Sequence, residues 1–260
     1  MNIPIYQVDA FTAAVFRGNP AAVCPLHAWL DDGTMQLIAR ENNLSETSFF
    51  ATEDDHYRIR WFTPVEEVDL CGHATLAAAF VIFTELDPAS TRVLFESKSG
   101  PLRVERRGDM LSMDFPSQPP EPCDPPAALI DGLARVPSAV LRSADYLAVY
   151  EHEDDVRSLK PHMDLLRQVD LRGVIVTAPG TASDFVSRFF APRLGIDEDP
   201  VTGSAHCALT PYWSAKLGKK DLHALQVSDR GGELLCRDNG ERVIISGRAV
   251  KYMQGTITTG

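Results

Sequence analysis

Several class-defining features are missing from this sequence, and each absence narrows the reading. The five cysteines stand apart at positions 24, 71, 123, 207 and 236, with no CxxC pair. An odd, dispersed set reads as free thiols of a reducing compartment, not as a disulfide framework. Positive charge is in deficit: 25 Lys and Arg face 36 Asp and Glu, a net charge of −11. That argues against nucleic acid and anionic membranes as partners. The longest apolar run, residues 74–83, is too short to cross a bilayer. Met1-Asn2-Ile3-Pro4-Ile5 has neither the charged nor the apolar region of a signal peptide, so a cytoplasmic protein is expected. There is no G-x-G-x-x-G, Walker A, H-E-x-x-H or G-x-S-x-G sequence. The seven histidines show no metal-ligand spacing with acids or thiols. Neither a cofactor nor a metal is called for.

What the chain does have is a repeat. Arg60-Trp61-Phe62-Thr63-Pro64 returns 128 residues later as Arg188-Phe189-Phe190-Ala191-Pro192. Each copy runs through an acidic turn to a glycine and a helix of small residues: Asp69-Leu70-Cys71-Gly72-His73-Ala74-Thr75, then Asp199-Pro200-Val201-Thr202-Gly203-Ser204-Ala205. The helix-to-strand join repeats too. Ile38-Ala39-Arg40 with Leu44-Ser45-Glu46-Thr47 aligns with Leu165-Leu166-Arg167 and Leu171-Arg172-Gly173-Val174. At 260 residues and 44% hydrophobic content there is material for two cores. Two duplicated lobes would create one cleft, each lobe giving half of a site.

Periodicity predicts strands over 3–10, 20–24, 47–51, 57–62, 92–96, 102–107 and 110–115, with helices over 32–43 and 74–83. The second helix is apolar nearly all round, so other elements must wrap it. In the second half, strands are predicted at 146–150, 173–177, 185–190, 225–228, 232–237 and 243–246. Helices are predicted at 162–169 and from Ser204 to a cap at Gly218. Residues 116–126 hold six prolines and read as a linker. The expected architecture is α+β: two pseudo-symmetric lobes, each a curved, mostly antiparallel sheet or barrel around a central helix. They span residues 1–115 and 127–248, with a strand at 249–260 as a candidate to complete the first. Strand order is not legible from periodicity.

Differences between the copies point to work done once. Glu46 is matched by Gly173, and a carboxylate on one side only, at such a join, suits a general base. Its plain structural reading is a carboxylate capping a turn. Gly72 and Gly203 open helices whose free N–H groups and dipole favour an anion. The plain reading is an ordinary cap, with Ser204 a favoured cap residue. His73 can relay a proton near neutral pH, or serve as a hydrogen-bonded structural histidine. Asp199 before the second turn is by itself only a turn residue. Cys71 could be a thiolate base at a helix start, but its counterpart Thr202 excludes a symmetric two-thiol mechanism.

Together with Val8-Asp9-Ala10-Phe11, Phe16-Arg17-Gly18-Asn19-Pro20, Asn43-Leu44-Ser45-Glu46-Thr47 and Met113-Asp114-Phe115-Pro116, these motifs resemble the PhzF-like family over essentially the whole chain. That family is named after a phenazine-biosynthesis isomerase. The resemblance implies the duplicated fold of diaminopimelate epimerase and a cofactor-free homodimer. It also implies catalytic roles at Glu46, His73 and Asp199. Glu46 would remove and return a substrate proton. His73, Asp199 and Ser204, with the Gly72 and Gly203 backbone, would bind and polarise a small carboxylate substrate, a dihydro-hydroxyanthranilic acid in the naming member. The chain is also similar to cofactor-independent epimerases and proline racemases, which place a cysteine before each glycine. Cys71 fits that pattern and Thr202 departs from it, although a Cys–Thr pairing occurs in related hydroxyproline dehydratases. A carboxylate-binding protein without catalysis is the reading from another class.

Overall fold

The computed structural model describes residues 1–53 and 56–259. The chain forms two compact units, Met1–Asp114 with the returning segment from Ser246 on, and Phe115–Ile245.

The first unit contains β1 (Asn2–Ala10), β2 (Asn19–Leu26), α1 (Asp32–Asn42), β3 (Glu46–Glu53), β4 (His56–Phe62), β5 (Glu67–Val68), α2 (Gly72–Val81), β6 (Arg92–Ser97), β7 (Gly100–Arg107) and β8 (Met110–Pro116). In the second are β9 (Glu121–Pro122), α3 (Ala127–Leu133), β10 (Ala139–Arg142), β11 (Tyr146–Val149), α4 (Glu153–Arg157), α5 (Met163–Leu166), β12 (Val174–Pro179), β13 (Phe185–Ala191), β14 (Ile196–Asp199), α6 (Gly203–Leu217), β15 (Asp221–Gln226), β16 (Gly232–Asp238) and β17 (Arg242–Gly247). The last strand, β18 (Ala249–Thr258), returns to the first unit and pairs antiparallel with β1 along nearly its full length.

Both units use one topology, which makes them α+β with mostly antiparallel sheets. In the first, β1 is antiparallel to β2, β2 parallel to β3, β3 antiparallel to β4, and β4 parallel to β6. In the second, β10 is antiparallel to β11, β11 parallel to β12, β12 antiparallel to β13, and β13 parallel to β15. The two parallel joins fall at matching places, a feature that side-chain alternation cannot encode.

Each sheet needs a cover for its apolar face. α2 provides it in the first unit: Ala74, Leu76, Ala77, Ala78, Ala79 and Val81 are all fully buried. Small residues let its backbone lie close to β1, β2 and β3. α1 covers the other face, where Met35 and Ile38 meet Cys24, Phe49 and Phe62. In the second unit, α6 stacks Trp213 on Phe185 at 5.7 Å between centroids.

The most conspicuous repeat is structural. Arg60 makes a two-pronged ion pair with Glu67 (2.7 and 2.8 Å) and lies over the Phe62 ring at 5.2 Å. Arg188 does the same with Glu198 (2.8 Å on both prongs) and Phe190 (4.9 Å). A guanidinium fork satisfied on one face and stacked on the other ties β4 to β5, and β13 to β14.

Some boundaries differ from the sequence reading. α2 begins at Gly72, two residues before the predicted start. The helix predicted over 162–169 is one turn, α5; beyond it the bonds tighten from i−4 to i−3, with Gln168 N–H to the Leu165 carbonyl and Val169 N–H to that of Leu166. The strand predicted at 225–228 is β15, which starts soon after the left-handed Gly218 cap. The proline-rich segment is bonded into the second unit. β9 pairs with β10, and Ser117, Gln118 and Cys123 donate to the carbonyls of Glu241, Cys207 and Val140. Proline denies its own N–H, so the residues between the prolines carry the bonding. Among the described residues no helix is long and apolar enough to cross a membrane.

Candidate active site

In the first unit the structure brings Glu46, Cys71, Gly72 and His73 together. α1 ends on Asn43 in the left-handed region (φ 50°), which turns the chain so that β3 starts at Glu46 beside Ala21 of β2. Cys71 caps α2, and His73 is the second residue of that helix. Glu46, Cys71 and His73 are all buried.

His73 stands between an acid and a thiol. Its Nε2 lies 3.0 Å from Glu46 Oε2. Its Nδ1 lies 3.5 Å from Cys71 Sγ and 3.1 Å from Asn19 Nδ2. The Glu46–His73 contact is in ion-pair range but is not aligned as a hydrogen bond, so both buried atoms lack a satisfied partner. Leaving such groups unsatisfied costs roughly 1–3 kcal/mol each.

Charge is distributed unevenly. Burial alone would discourage an imidazolium, but Cys71 and Glu46 more than offset it and hold His73 well above its usual value. Burial, reinforced by the Glu46 carboxylate, pushes the Cys71 thiol up to about 11. Near neutral pH the sulfur in this cluster is therefore a thiol, not a thiolate. Asn19 accommodates either state of the ring. With its Oδ1 accepting from Ser45 Oγ (3.3 Å), its Nδ2 donates to Nδ1 and leaves the ring proton on Nε2, facing Glu46. A doubly protonated ring needs the amide turned over.

The donor atoms of Glu46, Cys71 and His73 lie within 4.8 Å of one another. The sequence reading, which found no such grouping, missed it because Glu46 is distant in the chain. Nitrogen, sulfur and oxygen are zinc donors in type. However, the imidazole meets the acid and the thiol through different nitrogens, which is the layout of a proton relay rather than of one coordination point.

The second unit brings Asp199, Thr202, Gly203 and Ser204 together. Thr202, not Ser204, is the cap of α6, and its side chain does not cap the helix. The Thr202 hydroxyl donates to Asp199 Oδ2 at 2.5 Å. Gln226 closes the network, accepting from Thr202 N–H (2.8 Å) and donating to the Asp199 carbonyl (2.8 Å). Neither cap residue, Cys71 nor Thr202, makes a side-chain cap bond, and helix N-termini of this kind favour an anion. Ser204 accepts from Arg172 Nη2 at 3.0 Å, and Arg172 is itself held by Asp145 (3.0 and 2.5 Å). Gly173, the counterpart of Glu46, has no space for a side chain. A Cβ there would lie 2.5 Å from Phe189 Cζ and 2.9 Å from the Phe190 carbonyl oxygen.

Sequence reasoning missed Asn19, Ser45, Asp145, Arg172 and Gln226. The repeat alignment contained a signal for two of them: Ser45 faces Arg172, the same kind of mismatch that singled out Glu46 against Gly173.

The chain is similar to known proteins along essentially its whole length. A family model described as phenazine biosynthesis-like protein matches residues 8–255. An uncharacterized isomerase of Pseudomonas aeruginosa is 53% identical over 257 residues, covering 99% of each chain. The crystal structure of a PhzF-family protein from Enterococcus faecalis superposes with a TM-score of 0.97 at 46% identity, covering all of both chains. A hydroxyproline epimerase of Agrobacterium vitis shares the fold alone, with a TM-score of 0.64 at 10% identity over 98% of this chain and 92% of that one.

Proposed function

The chain belongs to the phenazine biosynthesis-like protein family, and on that premise we propose that it is an isomerase moving a proton on a small carboxylate-bearing substrate. Glu46 removes the proton and returns it at another atom. His73, 3.0 Å away, takes up and gives back charge as the carboxylate changes state. A buried carboxylate–imidazole pair is suited to this because each partner's protonation stabilises the other's change. Asp199, Gly203 and Ser204 enter the proposal through the family resemblance, as groups that bind and polarise the substrate carboxylate. A homodimeric state enters on the same footing, and a cytoplasmic location on the dispersed cysteines and the N-terminal sequence.

The observation that carries this reading is that the helix-to-strand join holds a carboxylate in one unit only. Glu46 sits beside His73 in one unit, and the matching position is a glycine without room for a side chain. One base that both removes and returns a proton favours isomerisation over inversion of a stereocentre, which uses an acid and a base on opposite faces. A Cys71-dependent racemase or dehydratase has one observation in its favour, the 3.5 Å contact between Cys71 and His73. Against it stand a thiol pushed up to about 11 and a Thr202 hydroxyl that donates to Asp199.

The test is product analysis by NMR with a dihydro-hydroxyanthranilate, proline, hydroxyproline and a diamino acid. The expected product has a shifted proton and double bond and arises from a carboxylate. Formation of the mirror-image amino acid overturns the proposal. Tight binding of a carboxylate with no turnover supports a non-catalytic binder instead.

A further inference from the structure

Matched positions in the two units hold different devices for the same task. In the first unit Ser45 bonds Asn19, and Asn19 bonds His73, the residue after the turn glycine. In the second, Arg172 takes the place of Ser45 and reaches the residue after the turn glycine, Ser204, directly at 3.0 Å. Arg172 is held on three sides. Its Nε and Nη2 donate to Asp145, which is 2% exposed, and its guanidinium lies 5.4 Å from the Phe189 ring centroid. Phe189 is the ring that lies against the bare Cα of Gly173. The absent side chain at 173 therefore leaves space for the ring that supports Arg172.

The direction of the Arg172–Ser204 bond matters chemically. A guanidinium only donates, so Ser204 Oγ must accept, and the hydroxyl proton of Ser204 is turned elsewhere.

We propose that Arg172 is a positioning residue that makes Ser204 a hydrogen-bond donor to an anionic oxygen of the substrate, so that a carboxylate is taken in preference to its neutral amide. This rests on the reading of Ser204 as a substrate contact. Asp145 cancels part of the charge and fixes the fork. The remaining positive field favours an anion beside Ser204.

The test needs no identified substrate. Anthranilate and its carboxamide serve as probes in calorimetric titrations of wild type, Arg172→Met, Arg172→Lys, Ser204→Ala and the Arg172→Met/Ser204→Ala double variant. Expected is a weakening of anthranilate binding by roughly ten-fold or more in Arg172→Met, with carboxamide binding little changed. In the Ser204→Ala background the same change should have little further effect. The Lys variant, which keeps the charge but loses the fork, should fall between, and it carries the test if the Met variant does not fold. The proposal is overturned by equal losses for both probes, by full additivity with Ser204→Ala, or by no binding of anthranilate to the folded wild type. Failure of the isomerase reading appears elsewhere, as turnover that is indifferent to Glu46.

Discussion

Gly173→Ala is the substitution in which fold and function meet. Replacing glycine by alanine at a compatible site usually stabilises, by about 0.4–1 kcal/mol, because the unfolded chain loses freedom. The sign should reverse at this position. The added methyl would lie 2.5 and 2.8 Å from Phe189 Cζ and Cε2, and 2.9 Å from the Phe190 carbonyl oxygen. The ring could tilt, but the carbonyl belongs to the Val174–Phe190 register of β12 and β13 and cannot move without breaking it. Overpacking of this kind costs about 1–3 kcal/mol. For a chain of this size each kcal/mol is worth about 2–4 °C, so calorimetry should show a fall of roughly 2–12 °C in Tm. Gly173→Glu, which would install a second carboxylate, should fall further. A Tm equal to or above that of wild type would refute the reasoning. It would mean that the second unit can hold a side chain there, and the single-base argument would lose its structural footing.

Other expectations rest on the same geometry. His206 is fully buried, donates Nδ1–H to the Thr202 carbonyl, and is pushed down by burial to about 4. Its unfolded value is near 6.5, so its contribution is present above that pH and is lost as pH falls from 6.5 toward 4, by about 3 kcal/mol; acid unfolding of His206→Asn should lack this component. Cys71→Ser should retain turnover within about ten-fold, since losing a true acid or base costs about 10²–10⁴. With its thiol near 11, Cys71 should resist iodoacetamide at pH 7.5, where roughly one molecule in three thousand is thiolate; rapid alkylation would contradict this. Asn19→Asp places an anion at His73 Nδ1 and should move the His73 limb of the pH–rate profile upward by roughly 1–3 units; an unmoved limb would show that Asn19 does not face the ring in the active state. His73 is already raised above its usual value. The stability it contributes is therefore fully present below about pH 6.5 and is lost as pH rises through the raised value, a slope that His73→Gln should flatten.

Much of this was legible because duplication doubles every signal. The join singled out Glu46 and the turn singled out Cys71, Gly72 and His73, each by itself, and Arg60 and Arg188 marked the repeat although their role is structural. What could not be read depended on pairing between distant strands. The parallel joins of β2 with β3 and β11 with β12 bring Asn19 to Ser45 and Asp145 to Arg172, and no local periodicity encodes such neighbours. Short elements such as α4, α5 and β9 were missed or misjudged because a few residues carry little periodic signal. The proline-rich segment was misread for a different reason: proline forbids its own bonding but leaves the N–H groups of Ser117, Gln118 and Cys123 free to pair.

The most direct test of Glu46 as the catalytic base follows solvent deuterium into substrate and product by mass spectrometry and NMR. Wild type, Glu46→Gln and Cys71→Ser are compared, each checked for a native circular dichroism spectrum. Deuterium incorporation should fall at least about 10²-fold with Glu46→Gln and persist in Cys71→Ser. Incorporation that survives loss of Glu46 and disappears with Cys71 would make the thiol the base and contradict proton transfer by the carboxylate.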